Sequence, residues 1–122
     1  MRRVLTVDDR RARQLVAAQR QRIEAALRNL DGEVRSESDL ESQQEGEFDA
    51  GSELATEMVE NALIANLRAE LDAVARAEAR IEAGTYGRSI ESGEPIPNER
   101  LEFEPLAERT VEEQRRVDAA AR

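Results

Sequence analysis

A chain of 122 residues fits one domain, and with 37% charged residues against 39% hydrophobic, much of it Ala, it offers few large side chains for a wide core. Cys, His and Trp are absent, which excludes a disulfide scaffold, a Cys or His metal site and nucleophilic catalysis by a Cys/His or Ser/His pair. A net charge of −9, with every basic residue an Arg, leaves no broad basic face to neutralise phosphates, so direct nucleic-acid binding is not expected and the partner should be a protein.

The apolar stretch before Asp8 and Asp9 is too short for a signal peptide, and no run reaches transmembrane length, so a soluble cytoplasmic protein is expected. The first helix is predicted over residues 6 to about 34, opened by Thr6 with Asp9 three residues on, as in a capping box. Val16, Ile23, Leu27, Leu30 and Val34 follow in steps of three and four if Arg20 fills one seam position. Such a stripe is narrow and calls for one partner helix.

A polar, acidic stretch broken by Gly46 and Gly51 follows, with Phe48 and Asp49 at the bend, and the hairpin tip is placed near residues 46–53. The second helix is predicted from about 52 to 83, where Ile64, Leu67, Leu71, Val74 and Ile81 repeat the stripe with Glu78 in the vacant seam slot. Gly84 then stops it. Folded antiparallel, the helices would set Val34 against Ile64, Leu27 against Leu71 and Arg20 against Glu78, each pair centred on Asp49. Arg20 and Glu78 either pair across the seam or both point outward.

Residues 85–109 have the Gly, Pro and short apolar alternations of turns and a small hairpin. A final helix opens at Thr110-Val-Glu-Glu113, a Thr-x-x-Glu capping box. The expected fold is mainly α: a long antiparallel coiled-coil hairpin over 1–83, then a small globular module over 84–122 ending in a helix.

Gly84-Thr-Tyr-Gly87, Ser-Gly-Glu-Pro-Ile-Pro over 92–97, Glu99-Arg-Leu-Glu102, and then Pro105 and Ala107 closely resemble the DksA/TraR family, as does Asp-x-Gly-Ser-Glu over 49–53 more loosely. The resemblance implies a helical hairpin joined to a zinc-finger-like module. In this family four cysteines bind zinc. By the match they fall on Ser89, Ser92, Thr110 and Glu113, and three hydroxyls with one carboxylate make a poor zinc set, so this module is expected to be degenerate and zinc-free. Structural zinc contributes about 10 kcal/mol or more where a helix cap contributes about 1. Packing of Tyr86, Ile90, Ile96, Leu101, Phe103, Leu106 and Val111 is therefore expected to supplement the Thr110–Glu113 box.

The resemblance further implies a transcription regulator that inserts its hairpin into the secondary channel of bacterial RNA polymerase, where acidic tip residues act. Phe48, Asp49, Ser52 and Glu53 are the partner-binding candidates. A family tip reads Asp-x-x-Asp-x-Ala; with Asp49 as the first Asp, Ser52 and Leu54 take the other places, and with Asp49 as the second, Gly46 and Gly51 do. Either way one tip acid remains. Some family members act with the alarmone ppGpp at the polymerase interface; whether this chain depends on it is left open, since little sequence precedes the first helix.

A monomer without catalytic activity or cofactor is expected, because the abundant carboxylates lack a base partner or phosphate loop. The alternative is a coiled-coil adaptor or self-associating structural module that has lost polymerase regulation. Arg88, Arg100, Arg109, Arg115 and Arg116 are either a local basic patch or ordinary surface.

Overall fold

The computed structural model describes residues 8–43 and 50–121, with side chains described for 8–30 and 54–121. Thr6, Phe48 and Asp49 lie outside the described residues. Four helices follow in order: α1 (Asp9–Gln43), α2 (Ala50–Ala83), α3 (Asn98–Phe103) and α4 (Val111–Ala120). The chain is mainly α, with long helical arms followed by a small module and a terminal helix.

Asp8 caps α1: its Oδ1 accepts the Arg11 amide at 2.7 Å, and its carbonyl accepts the Ala12 amide at 2.9 Å. The helix thus opens two residues after the Thr6 expected from sequence, because an Asp side chain satisfies an orphan first-turn amide equally well. At its other end α1 runs on to Gln43, since no proline interrupts it and a single glycine, Gly32, costs about 1 kcal/mol. Helix α2 stops where expected. Gly84 adopts φ 76°, and the Thr85 and Tyr86 amides turn back to the Arg80 carbonyl at 2.8 and 3.2 Å.

Packing divides the chain into two compact units, Met1–Gln19 with Ala73–Arg122, and Arg20–Asp72. The base of each long helix thereby groups with the C-terminal module, whereas the sequence placed a boundary at Gly84. In the first unit Ala12 and Val16 of α1, Val74, Ala77 and Ile81 of α2, and Tyr86, Ile96 and Leu101 of the module are buried. Ala77, fully buried, takes the slot between Val74 and Ile81 that sequence gave to Glu78, which is half-buried. A methyl side chain allows close approach without burying a charge. Arg13 of α1 reaches Glu82 of α2 at 3.0 Å, as expected for neighbouring antiparallel helices.

In the second unit Ile23 is fully buried, Leu27, Ile64, Leu67 and Leu71 are half-buried, and Arg22 lies 3.8 Å from Glu70. Arg20 lies 3.6 Å from Glu24 on its own helix. Leu54, Met58, Val59 and Leu63 are exposed along α2.

The module departs from its sequence reading in two respects. Residues 98–103 form a short helix, α3, behind Pro97, because Leu101 is fully buried on its inner side; the expected hairpin is reduced to one antiparallel bridge, Arg88 to Pro95. Of the expected mini-core, Tyr86, Ile96 and Leu101 are buried and Leu106 half-buried, but Ile90, Val111 and Phe103 are exposed, Phe103 to 88%. Apolar character alone did not decide burial here. Leu101→Ala should lower unfolding free energy by roughly 3 kcal/mol, the cost of a core cavity, whereas Phe103→Ala should change it little. Urea unfolding followed through Tyr86, the sole tyrosine in a chain without tryptophan, checks both.

Candidate functional site

The four positions matched to metal-binding cysteines come from two segments, the turn over 87–96 and the first turn of α4. In the turn, the Ile96 amide donates to the Gly87 carbonyl at 2.7 Å and the Ser89 amide to the Glu94 carbonyl at 2.8 Å. Gly93 closes the loop with φ 74°, a conformation that side-chain-bearing residues rarely adopt. Ser89 Oγ accepts the Glu91 and Ser92 amides at 3.1 and 3.2 Å, and Ser92 Oγ accepts the Glu94 amide at 3.2 Å. Both hydroxyls thus serve as acceptors to backbone and keep their one proton for donation.

At α4 the capping box is complete: Glu113 N–H donates to Thr110 Oγ1 at 3.3 Å, and Thr110 N–H donates to Glu113 Oε1 at 2.9 Å. Glu113 is 5% exposed and Ser89 is equally buried. Its polar neighbours, first Ser89, then the Thr110 amide that donates to it and Ser92, hold the Glu113 carboxyl down at about 2 against the opposing effect of burial. Of the four expected positions, Thr110 and Glu113 meet directly in the capping box, and Ser89 and Ser92 lie among the polar neighbours of the Glu113 carboxylate. The set does not fit zinc, since it supplies neither thiolate nor imidazole. Among the described residues, no three of His, Cys, Asp and Glu cluster so as to hold a metal ion.

Nearby, the Ile90 amide donates to the Glu108 carbonyl at 2.9 Å and Arg109 Nε to Glu91 at 2.7 Å, joining the turn to the segment that precedes α4. The module is braced against α1 by Arg11, whose Nε and Nη2 reach the two Glu102 oxygens at 2.9 and 2.6 Å. It is braced against α2 by Arg76 and Arg80, which reach Glu108 at 3.0 and 2.9 Å. Burial pushes the Glu108 carboxyl up, but Arg76, Arg80 and Arg109 together hold it below its ordinary value. Tyr86 donates its hydroxyl to the Pro105 carbonyl at 2.7 Å, and burial raises its phenol to about 12.

These clamps were missed in the sequence, where an Arg and a Glu far apart carry no mark of pairing. Three members of the suspected basic patch are engaged locally: Arg88 donates to the Gly93 carbonyl, Arg100 to the Arg109 carbonyl, and Arg109 to Glu91. Arg115 and Arg116 stand exposed on α4. Of the tip candidates, Ser52 and Glu53 fall in the first turn of α2 with their side chains outside the described residues, as are Phe48 and Asp49 altogether.

No family model matches the chain. Two curated relatives, both titled RNA polymerase-binding transcription factor DksA and from two strains of Caulobacter vibrioides, are 35% identical over 94 residues, 77% of this chain. The chain spans 61% of the length of those relatives. A solved structure, transcription factor DksA2 from Pseudomonas aeruginosa, superposes with a TM-score of 0.77 at 29% identity, covering 93% of this chain and 84% of that one. These similarities in sequence and fold support the DksA/TraR family for this chain.

The depressed Glu113 value has a definite sign in stability. The folded state binds fewer protons than the unfolded one between the ordinary value of 4.5 and about 2, so the contribution is complete above 4.5 and is lost as pH falls through that window. The difference in thermal midpoint between wild type and Glu113→Gln should be constant above pH 4.5 and shrink on acidification toward 2. A difference that is independent of pH across this range would contradict the arrangement.

Proposed function

We propose that this chain is a transcription regulator that binds bacterial RNA polymerase by inserting its helical hairpin into the secondary channel, without a zinc ion and without contacting DNA itself. The observation that carries the reading is the likeness to DksA2 across 93% of the chain, hairpin and module together. The net charge of −9 supports it, since a protein partner is compatible with an acidic surface that would repel a polyphosphate. The arms deliver the tip, with Phe48, Asp49, Ser52 and Glu53 as its contact residues, and the module docks at the channel rim. The protein works as a cytoplasmic monomer and carries out no catalysis of its own. Among the described residues no helix is long and apolar enough to cross a membrane. With no thiolate in the chain, oxidants have no cysteine to attack.

A second reading rests on Leu54, Met58, Val59 and Leu63, which leave apolar surface exposed on α2. A coiled-coil adaptor would cover such a stretch with another helix, including one from a second copy. Titration of fluorescently labelled protein with core RNA polymerase separates the two. Saturable binding by a monomer, with Asp49→Asn or Phe48→Ala changing affinity or open-complex lifetime, is the expected result. A folded sample that ignores polymerase and self-associates would transfer the function to the adaptor.

A further inference from the structure

Helix α2 carries apolar residues on two sides. One side is turned to α1, and there Ile64, Leu67 and Leu71 are half-buried. At 3.6 residues per turn, Leu54, Met58, Ala62, Ala65 and Ala69 fall together on the opposite side. All of these are exposed, Leu54 to 58% and Met58 to 64%. A two-helix hairpin uses one apolar stripe per helix, so the second stripe is surplus to the fold.

The surplus stripe is self-complementary. It is centred between Asn61 and Ala62, with the large side chains of Leu54 and Met58 before the centre and the alanines at 65 and 69 after it. Laid antiparallel on a second copy about a two-fold axis at that centre, Leu54 of each copy covers Ala69 of the other, and Met58 covers Ala65. Charge follows the same rule. Glu57 precedes the centre and Arg68 follows it, both exposed on the same edge of the stripe, so Glu57 of each copy comes within a turn of Arg68 of the other.

We propose that α2 pairs antiparallel with α2 of a second copy through this stripe, so that free chains associate weakly and separate to work singly. Size and charge both complement themselves across one centre, which a second copy satisfies at every position. Stable complexes bury about 1,200 Å² or more in total. A stripe this short buries less, so the pairing depends on concentration.

Sedimentation equilibrium of the protein alone should show the mean mass rising from one chain towards two between micromolar and millimolar concentration, and Met58→Glu should hold it at one. Glu57→Arg or Arg68→Glu alone should weaken association about tenfold by opposing like charges twice, and the two changes combined should restore it. Alignment has its own check, because the chain has no cysteine. Oxidation should cross-link Ala62→Cys at the axis but not Ala69→Cys, whose two copies stand roughly 20 Å apart, against about 5.5 Å between the Cα atoms of a disulfide. Every changed side chain is exposed, so these variants keep the fold. A single-chain mass throughout, a pair that survives Met58→Glu, a double charge reversal that does not restore association, or equal cross-linking at 62 and 69 would overturn the proposal. Polymerase takes no part in these measurements, so failure here is distinct from failure of the proposed function.

Discussion

A carboxylate buried to 5% exposure must be neutralised or surrounded by donors, and Glu113 meets that demand in the cap of α4, where the Thr110 amide donates to it. The turn over 87–96 is joined to the segment before α4 by the Ile90 amide at the Glu108 carbonyl and by Arg109 at Glu91. The module has few apolar side chains to offer instead. Tyr86, Ile96 and Leu101 are buried, while Ile90, Phe103 and Val111 face solvent.

The closed module gains its remaining support from the helix bases. Arg11 to Glu102 ties it to α1, and Arg76 and Arg80 to Glu108 tie it to α2. The first pair is half-exposed on both sides and is individually weak in water. Glu108 is better shielded and shares its carboxylate between two guanidinium groups, which favours a defined geometry. Beside Ala12, Val16, Val74, Ala77 and Ile81, these contacts make the helix bases and the module one compact unit.

Local signals were the legible ones. The Thr110–Glu113 box needs four consecutive residues, and Gly84 needs only its own lack of a Cβ; both are found where the sequence put them. The cap of α1 shifted from Thr6 to Asp8 because two good capping residues lie within one turn of each other. Readings that depended on packing fared less well. Ala77 was overlooked because a methyl group scarcely registers as hydrophobic, and Phe103 was assigned to the core because an aromatic registers too strongly. The bonds that join separate segments, such as the Ile90 amide to the Glu108 carbonyl and Tyr86 to the Pro105 carbonyl, had no periodicity to betray them. The Arg clamps were invisible for the same reason.

The central proposal is that this module folds without a metal, since its matched positions offer neither thiolate nor imidazole. Metal content of natively purified protein, measured together with its thermal unfolding before and after a strong zinc chelator, tests it most directly. The account predicts substoichiometric zinc and an unchanged Tyr86 unfolding midpoint. One equivalent of zinc, or a chelator-induced loss of the folded module, would contradict it.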